Sequence, residues 1–286
     1  MNGETYRVLS LPAVIASCFF LLCAVVIFVS AFCYFPQRLV VVEYDLPHSG
    51  DYDDCARIKI AVLSDLHVGS PFIDLGKIRN IVDRTASLKP DLVLIPGDFV
   101  ADRVAGGEVV SIDLIAGTFL DLASRVNVVA TLGNHDWHYG AVEVERALRD
   151  AGIIVLENRT VNITVRDCQL TIVGLSDFWE GDTNYAQVLK TKPMSSRVVY
   201  LTHNSDLFNF TDVKVQGLIV SGHTHGGQVS IPIFGPLIIP SINGKKYAKG
   251  VYQTENGVLF VSSGIGTSIL GVRFFVTPEI SILYPR

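Results

Sequence analysis

Short apolar runs alternate with amphipathic segments of helical period through the first half of the chain. Each apolar run predicts a buried strand. Each amphipathic segment predicts a helix because its apolar residues share one face, as Leu75, Ile78 and Ile81 do. The predicted strands are residues 57–65, 91–98 and 126–136, and the predicted helices are residues 74–88, 111–123 and 141–152. Strands that alternate with helices predict βαβ units around a buried sheet.

The second half of the chain is rich in strand patterns and poor in helical ones. Residues 160–174 alternate between apolar and polar positions and predict a hairpin that turns at residues 166–168. Further strands are predicted for residues 197–206, 217–225, 258–264 and 279–285. With few helices to cover them, these strands predict a second sheet that packs on the first.

The N-terminal segment has a different pattern, with no charged residue from Val8 to Gln37. A bilayer span needs about 20 apolar residues, and this run exceeds the roughly 7–15 residues of a signal-peptide core. We therefore predict a retained membrane anchor over residues 1–37 rather than a cleaved signal. A polar linker over residues 38–57 and a folded domain over residues 58–286 follow it. The N-terminal side of this run carries the α-amine and Arg7, whereas the far side carries Arg38 and no further Lys or Arg until Arg57, so the positive-inside rule favours an extracytoplasmic domain on a single-pass anchor.

Composition excludes one class of partner and leaves one covalent question open. The net charge is −5 and the sequence has no basic stripe, so nucleic-acid binding is not expected. Of the five cysteines, Cys55 and Cys168 lie outside the apolar segment. They could pair in an oxidising compartment, but no spacing motif decides the matter.

Metal-binding residue types collect at the ends of five predicted strands. Five of the seven histidines lie there, together with aspartate and asparagine. The residues are Asp65, His67, Asp98, Asn134, His135, Asp136, His203, His223 and His225. Ligand sites in α/β sheets lie beyond the carboxyl ends of the strands, so these side chains are expected to meet.

The spacing of His223 and His225 can be interpreted in two ways. In an extended segment, alternate residues point in the same direction, so both imidazoles would face one point, as metal ligands do. The alternative is a polar, glycine-rich turn after a strand. The mixed carboxylate, imidazole and amide ligands suit manganese, iron, zinc or cobalt rather than calcium or a structural zinc. So many candidate ligand side chains exceed the needs of one ion and favour two ions that share a carboxylate.

The order of these motifs resembles that of the calcineurin-like metallophosphoesterases. The order is D-x-H, G-D, G-N-H-D, a single His and G-H-x-H, and the resemblance runs from about Ile58 to Leu283. The spelling GHTHGGQ, followed by Pro240, Tyr247 and Gly250, resembles the membrane-anchored bacterial branch of YkuE- and YaeI-type phosphodiesterases. That branch has relatives linked to UDP-2,3-diacylglucosamine hydrolysis in lipid A synthesis. The resemblance implies an α/β fold, a four-layer αββα sandwich of two mixed sheets flanked by helices.

The resemblance also assigns roles to the candidate residues. It implies that Asp65, His67 and His225 hold one metal ion, that Asn134, His203 and His223 hold the other, and that Asp98 bridges them. A hydroxide held between the ions would attack phosphorus, and His135, which is not a ligand in such families, would face the phosphate and assist the leaving oxygen. The family's aspartate partner for this histidine is replaced by Ala101, which leaves Asp102 or Asp136 as candidates.

The sequence therefore predicts a hydrolase of phosphodiester or pyrophosphate bonds with two divalent metal ions. Manganese is the expected ion, with iron, zinc, cobalt and magnesium as alternatives. A lipid-linked phosphoester is a plausible substrate because the anchor places the site near lipid headgroups and because residues 231–250 set an apolar stretch beside Lys245 and Lys246. The competing hypothesis is a membrane-tethered metal-binding sensor or scaffold of the same fold without turnover.

Overall fold

The structure is a computed structural model that describes residues 10–47, 58–190, 193, 197–209 and 215–285. Two six-stranded mixed sheets form the body of the domain. The strands of the first sheet, in spatial order, are β1 (Val40–Asp45), β14 (Glu279–Tyr284), β2 (Ile60–Val62), β3 (Leu92–Ile95), β4 (Val128–Ala130) and β5 (Ile154–Val155). Those of the second are β12 (Gly250–Thr254), β13 (Gly257–Val261), β9 (Gly217–Ser221), β8 (Val198–Thr202), β7 (Cys168–Leu175) and β6 (Arg159–Val165). A small hairpin joins β10 (Ser230–Ile231) to β11 (Gly235–Pro236).

Alternating burial along the strands separates the domain into layers. In β2, Ile60 and Val62 pack between the two sheets, whereas Ala61 faces the helices outside the first sheet. The helices α2 (Leu75–Ser87), α3 (Ile112–Gly117), α4 (Leu120–Ala123) and α5 (Asn134–Asp150) cover that outer face, and α6 (Ala186–Leu189) lies on the outer face of the second sheet. The predicted α/β sandwich of two mixed sheets flanked by helices is confirmed.

Two predicted helices differ from the observed ones. Residues 111–123 form two short helices, α3 and α4, instead of one. Helix α5 begins at Asn134, inside the predicted strand 126–136, because the Asp136 carboxylate accepts the free N–H of Gly133 in a capping box. Gly140 leaves the helical conformation at φ 140°, which explains why periodicity alone placed the start at residue 141.

Strand β1 changes the predicted domain boundary. It pairs in parallel with β14 over its whole length, from Val40 opposite Glu279 to Asp45 opposite Tyr284. Leu46, directly after it, is buried between the two sheets. Residues 40–46, predicted as linker, therefore belong to the sandwich. Residues 48–57, the last ten of that linker, and residues 1–9 of the predicted anchor lie outside the described part of the chain.

The N-terminal helix is long and apolar enough to cross a membrane. Helix α1 (Leu11–Val29) continues through a π turn and a 3-10 turn to Gln37, and no residue in its most apolar window is buried. This exposure distinguishes it from a core helix, although length and composition alone do not distinguish it from a signal sequence. Its C-terminal end contacts the domain: Arg273 donates its backbone N–H to the Ala31 carbonyl at 3.0 Å.

The parallel strands of the two sheets bring their carboxyl ends to one side of the sandwich. Strands β2, β3 and β4 run parallel in the first sheet, and β8 and β9 run parallel in the second. The loops that leave these five ends carry all the candidate ligands. Cys168, the first residue of β7, is buried between the two sheets and is disulfide-bonded, whereas Cys55 lies outside the described residues.

Candidate metal centre

Asp98 lies at the centre of the side chains that follow the strand ends. Its Oδ2 lies 3.3 Å from His67 Nε2 and 3.2 Å from His203 Nε2, so one carboxylate oxygen faces two imidazoles that come from different sheets. Its Oδ1 accepts the backbone N–H of His135 at 3.0 Å. The carboxylate is thus held between two groups of candidate ligands.

The first group consists of Asp65, His67, Asp98 and His225. All four are buried, and one ligand atom from each lies within 4.8 Å of those of the others. His67 Nε2 lies 3.1 Å from His225 Nε2, and His225 Nε2 lies 3.5 Å from Asp65 Oδ1. Two carboxylates and two imidazole nitrogens that converge in a buried space form a donor set that suits a divalent cation.

The second group consists of Asp98, Asn134, His203 and His223. His203 Nε2 lies 3.1 Å from His223 Nδ1, and its other ring nitrogen lies 2.7 Å from the Pro96 carbonyl. That carbonyl can accept only from a protonated Nδ1, which leaves Nε2 free to coordinate. Asn134 Oδ1 is buried and has no hydrogen-bond partner among the described residues. A buried amide oxygen without a donor is costly, and a cation at this point would satisfy it.

The site backbone adopts a strained conformation at most of these positions. Asp65, His67, Asp98, His223 and His225 all have left-handed φ angles, between 43° and 69°. For residues other than glycine this conformation costs on the order of 1 kcal/mol each. Such strain is found where the surrounding structure imposes a functional geometry.

This conformation corrects the extended geometry assumed for His223 and His225. Strand β9 ends at Ser221, and His225 begins a 3-10 turn. The turn aims the two imidazoles at different groups, with His225 next to His67 and His223 next to His203. Thr224 turns away from the site and donates its hydroxyl to the Ala248 carbonyl at 2.6 Å. The glycine-rich turn therefore exists, and it brings the two imidazoles to the two groups of candidate ligands.

Gly222 is required by the close approach of the two sheets. A Cβ at this position would collide with Ser64 Oγ and with Asp65 Oδ2. The adjacent backbone N–H of His223 donates to Asp65 Oδ1 at 2.9 Å, and Ser64 Oγ donates to Asp65 Oδ2. Asp65 is therefore oriented by a loop from the opposite sheet.

Burial and charge set the protonation of the site. Burial lowers the pKa of His67 and of His223 to about 3, so both imidazoles are neutral and able to bind metal at neutral pH. Burial also acts to lower the pKa of His203, but the charges of Asp98 and Asp65 raise it well above its ordinary value. Without a metal ion, the charges of Asp98 and Asp65 thus favour protonation of His203, at the position where a bound cation would neutralise these carboxylates.

Asp136 supports the site instead of orienting His135. Its carboxylate accepts backbone N–H groups from Asp98 at 2.8 Å, Phe99 at 2.9 Å, Val100 at 3.2 Å and Gly133 at 3.0 Å. Burial, together with the charge of Asp98, raises the pKa of Asp136 to about 7. The side chain holds the loop of Asp98 to the beginning of α5.

His135 lies beside both groups and contacts neither candidate carboxylate. Its ring centroid is 4.6 Å from that of His67, and its Nε2 lies 3.3 Å from Ser268 Oγ. Asp102 pairs with His138 at 3.5 Å. His135 reaches the site because it is the second residue of α5, and not because strand alternation points it there.

Sequence reasoning missed two residues of the surroundings. Ser268 is the contact of His135, and no motif marks it. Arg273 is fully buried, donates to the carbonyls of Ser263 and Gly266, and lies 3.4 Å from His225 Nδ1. Their only signal is a position in the loop after β13, which topology, not spacing, brings to the site.

Comparison with known proteins agrees with this architecture. Residues 58–227 match the sequence profile of the family described as Calcineurin-like phosphoesterase. Phosphodiesterase YaeI of Escherichia coli (strain K12) is 31% identical over 238 residues, which cover 81% of this chain and 83% of YaeI. The uncharacterized metallophosphoesterase YkuE of Bacillus subtilis (strain 168) is 31% identical over 248 residues, which cover 83% of this chain and 80% of YkuE.

A solved structure, the putative 5'-nucleotidase from Staphylococcus aureus, aligns with a TM-score of 0.45 at 15% identity, covering 79% of this chain and 54% of the nucleotidase chain. The profile match spans more than half of the chain, and the two relatives match most of it. This chain therefore belongs to the calcineurin-like phosphoesterase family of metal-dependent phosphoester hydrolases.

Proposed function

We propose that this protein hydrolyses phosphodiester or diphosphate bonds at a centre of two divalent metal ions, with manganese as the expected ion. The observation that carries the proposal is the position of Asp98, whose Oδ2 faces imidazoles of both ligand groups at 3.2–3.3 Å. Asp65, His67 and His225 would hold one ion, Asn134, His203 and His223 the other, and Asp98 both. Bound ions would supply a water of lowered pKa and stabilise negative charge on phosphate oxygens.

His135 is the residue we assign to the leaving group. Because it stands at the beginning of α5 and is only partly buried, its Nε2 can reach a substrate beside the two ligand groups. Ser268 Oγ, at 3.3 Å, fixes the ring edge that carries this nitrogen. A proton held at Nε2 would pass to the departing oxygen, which is general acid catalysis. The Nδ1 atom is buried and has no partner among the described residues, so no carboxylate assists it.

A lipid-linked phosphoester, such as a UDP-diacylglucosamine, is the substrate that we propose for the membrane-bound protein. YaeI, a relative of this chain, bears the name phosphodiesterase. The apolar helix up to Gln37 ends against the domain, and exposed apolar side chains at Ile233 and Phe234 lie in the loop that follows the site. These features favour a substrate that remains partly in the bilayer.

We also propose that the helix spans the cell membrane once and that the domain is extracytoplasmic. After the helix, Arg38 is followed by no further Lys or Arg until Arg57, and the positive-inside rule favours an extracytoplasmic side for a segment so poor in these cations. Cys168 is disulfide-bonded, and disulfides persist in oxidising compartments.

Chelation of the purified full-length protein tests the proposed chemistry. In detergent, EDTA should abolish hydrolysis of bis-p-nitrophenyl phosphate, and Mn²⁺ should restore it, because the uncompensated carboxylates of Asp65 and Asp98 cannot polarise a phosphate by themselves. A panel with a cyclic nucleotide and a UDP-linked glycolipid, at equal concentration, would rank the substrates by kcat/KM. Activity that survives chelation would contradict metal dependence. A glycolipid that ranks last would contradict the lipid-linked substrate alone.

A further inference from the structure

Bulky apolar side chains are exposed around the entrance to the candidate metal centre. Ile233 and Phe234 lie in the turn between β10 and β11; Ile233 is fully exposed and Phe234 is 74% exposed. Ile238, shortly after β11, is 78% exposed. Leu237, Ile269 and Phe275 are also exposed. We refer to these six residues as the apolar rim. A group of large, exposed apolar side chains of this kind marks a site of contact with a membrane or another protein.

Three residues of the apolar rim adopt a backbone conformation that disfavours them. Ile233 has φ 75°, Ile269 has φ 63° and Phe275 has φ 54°. The left-handed region is suited to glycine, and a β-branched residue there is a genuine outlier. The chain therefore bears a conformational cost at three positions whose large apolar side chains are exposed.

The apolar rim is continuous with the end of the N-terminal helix. The rings of Phe274 and Phe275 lie 5.6 Å and 5.4 Å from the ring of Phe35. Ser230 donates its backbone N–H to the Phe274 carbonyl at 2.9 Å, which attaches the β10–β11 hairpin to the same segment. The medium around the C-terminal end of the helix, whether lipid or water, therefore also surrounds the apolar rim.

A cationic side chain lies next to the rim. Lys245 Nζ donates to the Phe234 carbonyl at 3.4 Å. Lysines beside apolar residues are typical of a membrane interface, where the stem packs on apolar surface and the ammonium meets anionic headgroups.

The rim also adjoins the catalytic side of the centre. Ile269 directly follows Ser268, the contact of His135. The Gln228 amide holds Ser268 by two hydrogen bonds, donating to its carbonyl at 2.9 Å and accepting its N–H at 2.7 Å. A bilayer in contact with the rim would hence lie within one residue of the proposed general acid's partner.

We infer that the apolar rim inserts into the interfacial layer of the bilayer that helix α1 spans. The helix and the rim would then fix the entrance of the metal centre at headgroup level, where the phosphate of an amphiphile can enter while its acyl chains remain in the membrane. This inference rests on the proposed membrane anchor and deepens the proposed substrate class.

Fluorescence quenching in lipid tests the insertion. Full-length Phe234→Trp and Ile238→Trp proteins are placed in nanodiscs of phosphatidylcholine and phosphatidylglycerol, with and without bromine on the acyl chains. Brominated chains should remove most of the emission that either new tryptophan adds above that of wild type, which contains two tryptophans. The matched control is Gln253→Trp. Gln253 is exposed and lies in β12, next to the turn that leads into β13 at Gly257. This turn lies at the end of the sheet opposite the metal centre. The added emission of this control should not change.

Each other outcome would overturn the insertion in a recognisable way. Disc incorporation without quenching at positions 234 and 238 would leave the anchor intact and contradict the rim contact. Emission that is blue-shifted and equally intense in both lipids would show that another protein chain covers the rim. A full-length chain that does not enter discs would refute the anchor and the insertion together. Hydrolysis of bis-p-nitrophenyl phosphate by the two rim variants should equal that of wild type, which confirms that the centre is folded.

Discussion

Asp98→Asn should remove both metal ions and lower kcat/KM by at least about 10²–10³. The single oxygen Oδ2 faces His67 and His203 at 3.3 Å and 3.2 Å. An amide keeps the size of the side chain but loses its charge. Metal ions contribute several kcal/mol to the stabilisation of transition-state charge, and each 1.36 kcal/mol corresponds to a tenfold change in rate. Elemental analysis of the purified variant and steady-state kinetics measure the two effects.

Asp102→Asn is the matched control for this prediction. Asp102 lies four residues further along the same loop and pairs with His138 rather than with the two ligand groups. The control should keep the metal content of wild type. If Asp98→Asn lost only one ion and kept the other at full occupancy, Asp98 would belong to a single group and would not bridge.

His135→Ala should keep both metal ions and lower kcat by roughly 10²–10⁴, the usual contribution of a general acid. The ring contacts Ser268 Oγ and the ring of His67, but in the proposed assignment it binds no metal. The loss should be smaller for bis-p-nitrophenyl phosphate than for an ester of an alkyl alcohol, because p-nitrophenolate leaves without a proton. Metal content and kcat on the two substrates decide the matter.

Two comparison variants separate general acid catalysis from metal binding. His138 lies on the same helix as His135 and pairs with Asp102 and Glu180. His138→Ala should leave kcat near that of wild type. His203→Ala should lose metal first and activity as a consequence. A His135→Ala protein that lacks one ion, or whose loss is equal for both substrates, would make His135 a ligand or a structural residue.

Periodicity predicted the sandwich well where burial decides the structure. Strand β2 and helix α2 lie where the apolar pattern placed them, because one face of each is buried against the core. The sequence predicts a linker where β1 lies, because Glu43 and Asp45 make the pattern polar. Edge strands need only one paired side, and β1 is held mainly by its register with β14, which the sequence of residues 40–45 does not reveal.

The candidate ligands were predictable, but their backbone geometry was not. Residue type at strand ends was sufficient to select Asp65, Asp98 and the histidines, since parallel strands bring their carboxyl ends together. The left-handed φ angles of five of these residues could not be read from the sequence, because each opposes the residue's own preference. Ser268 reaches His135 through a contact between residues 133 positions apart. Only tertiary structure defines such a contact.

The central claim is that one carboxylate joins two metal ions in this chain, and a metal titration of the wild-type protein tests it most directly. Full-length protein, stripped with EDTA and titrated with Mn²⁺, should bind two ions per chain and give the exchange-coupled electron paramagnetic resonance spectrum of a bridged pair. One ion per chain, or two ions whose spectra are those of isolated Mn²⁺, would contradict the account.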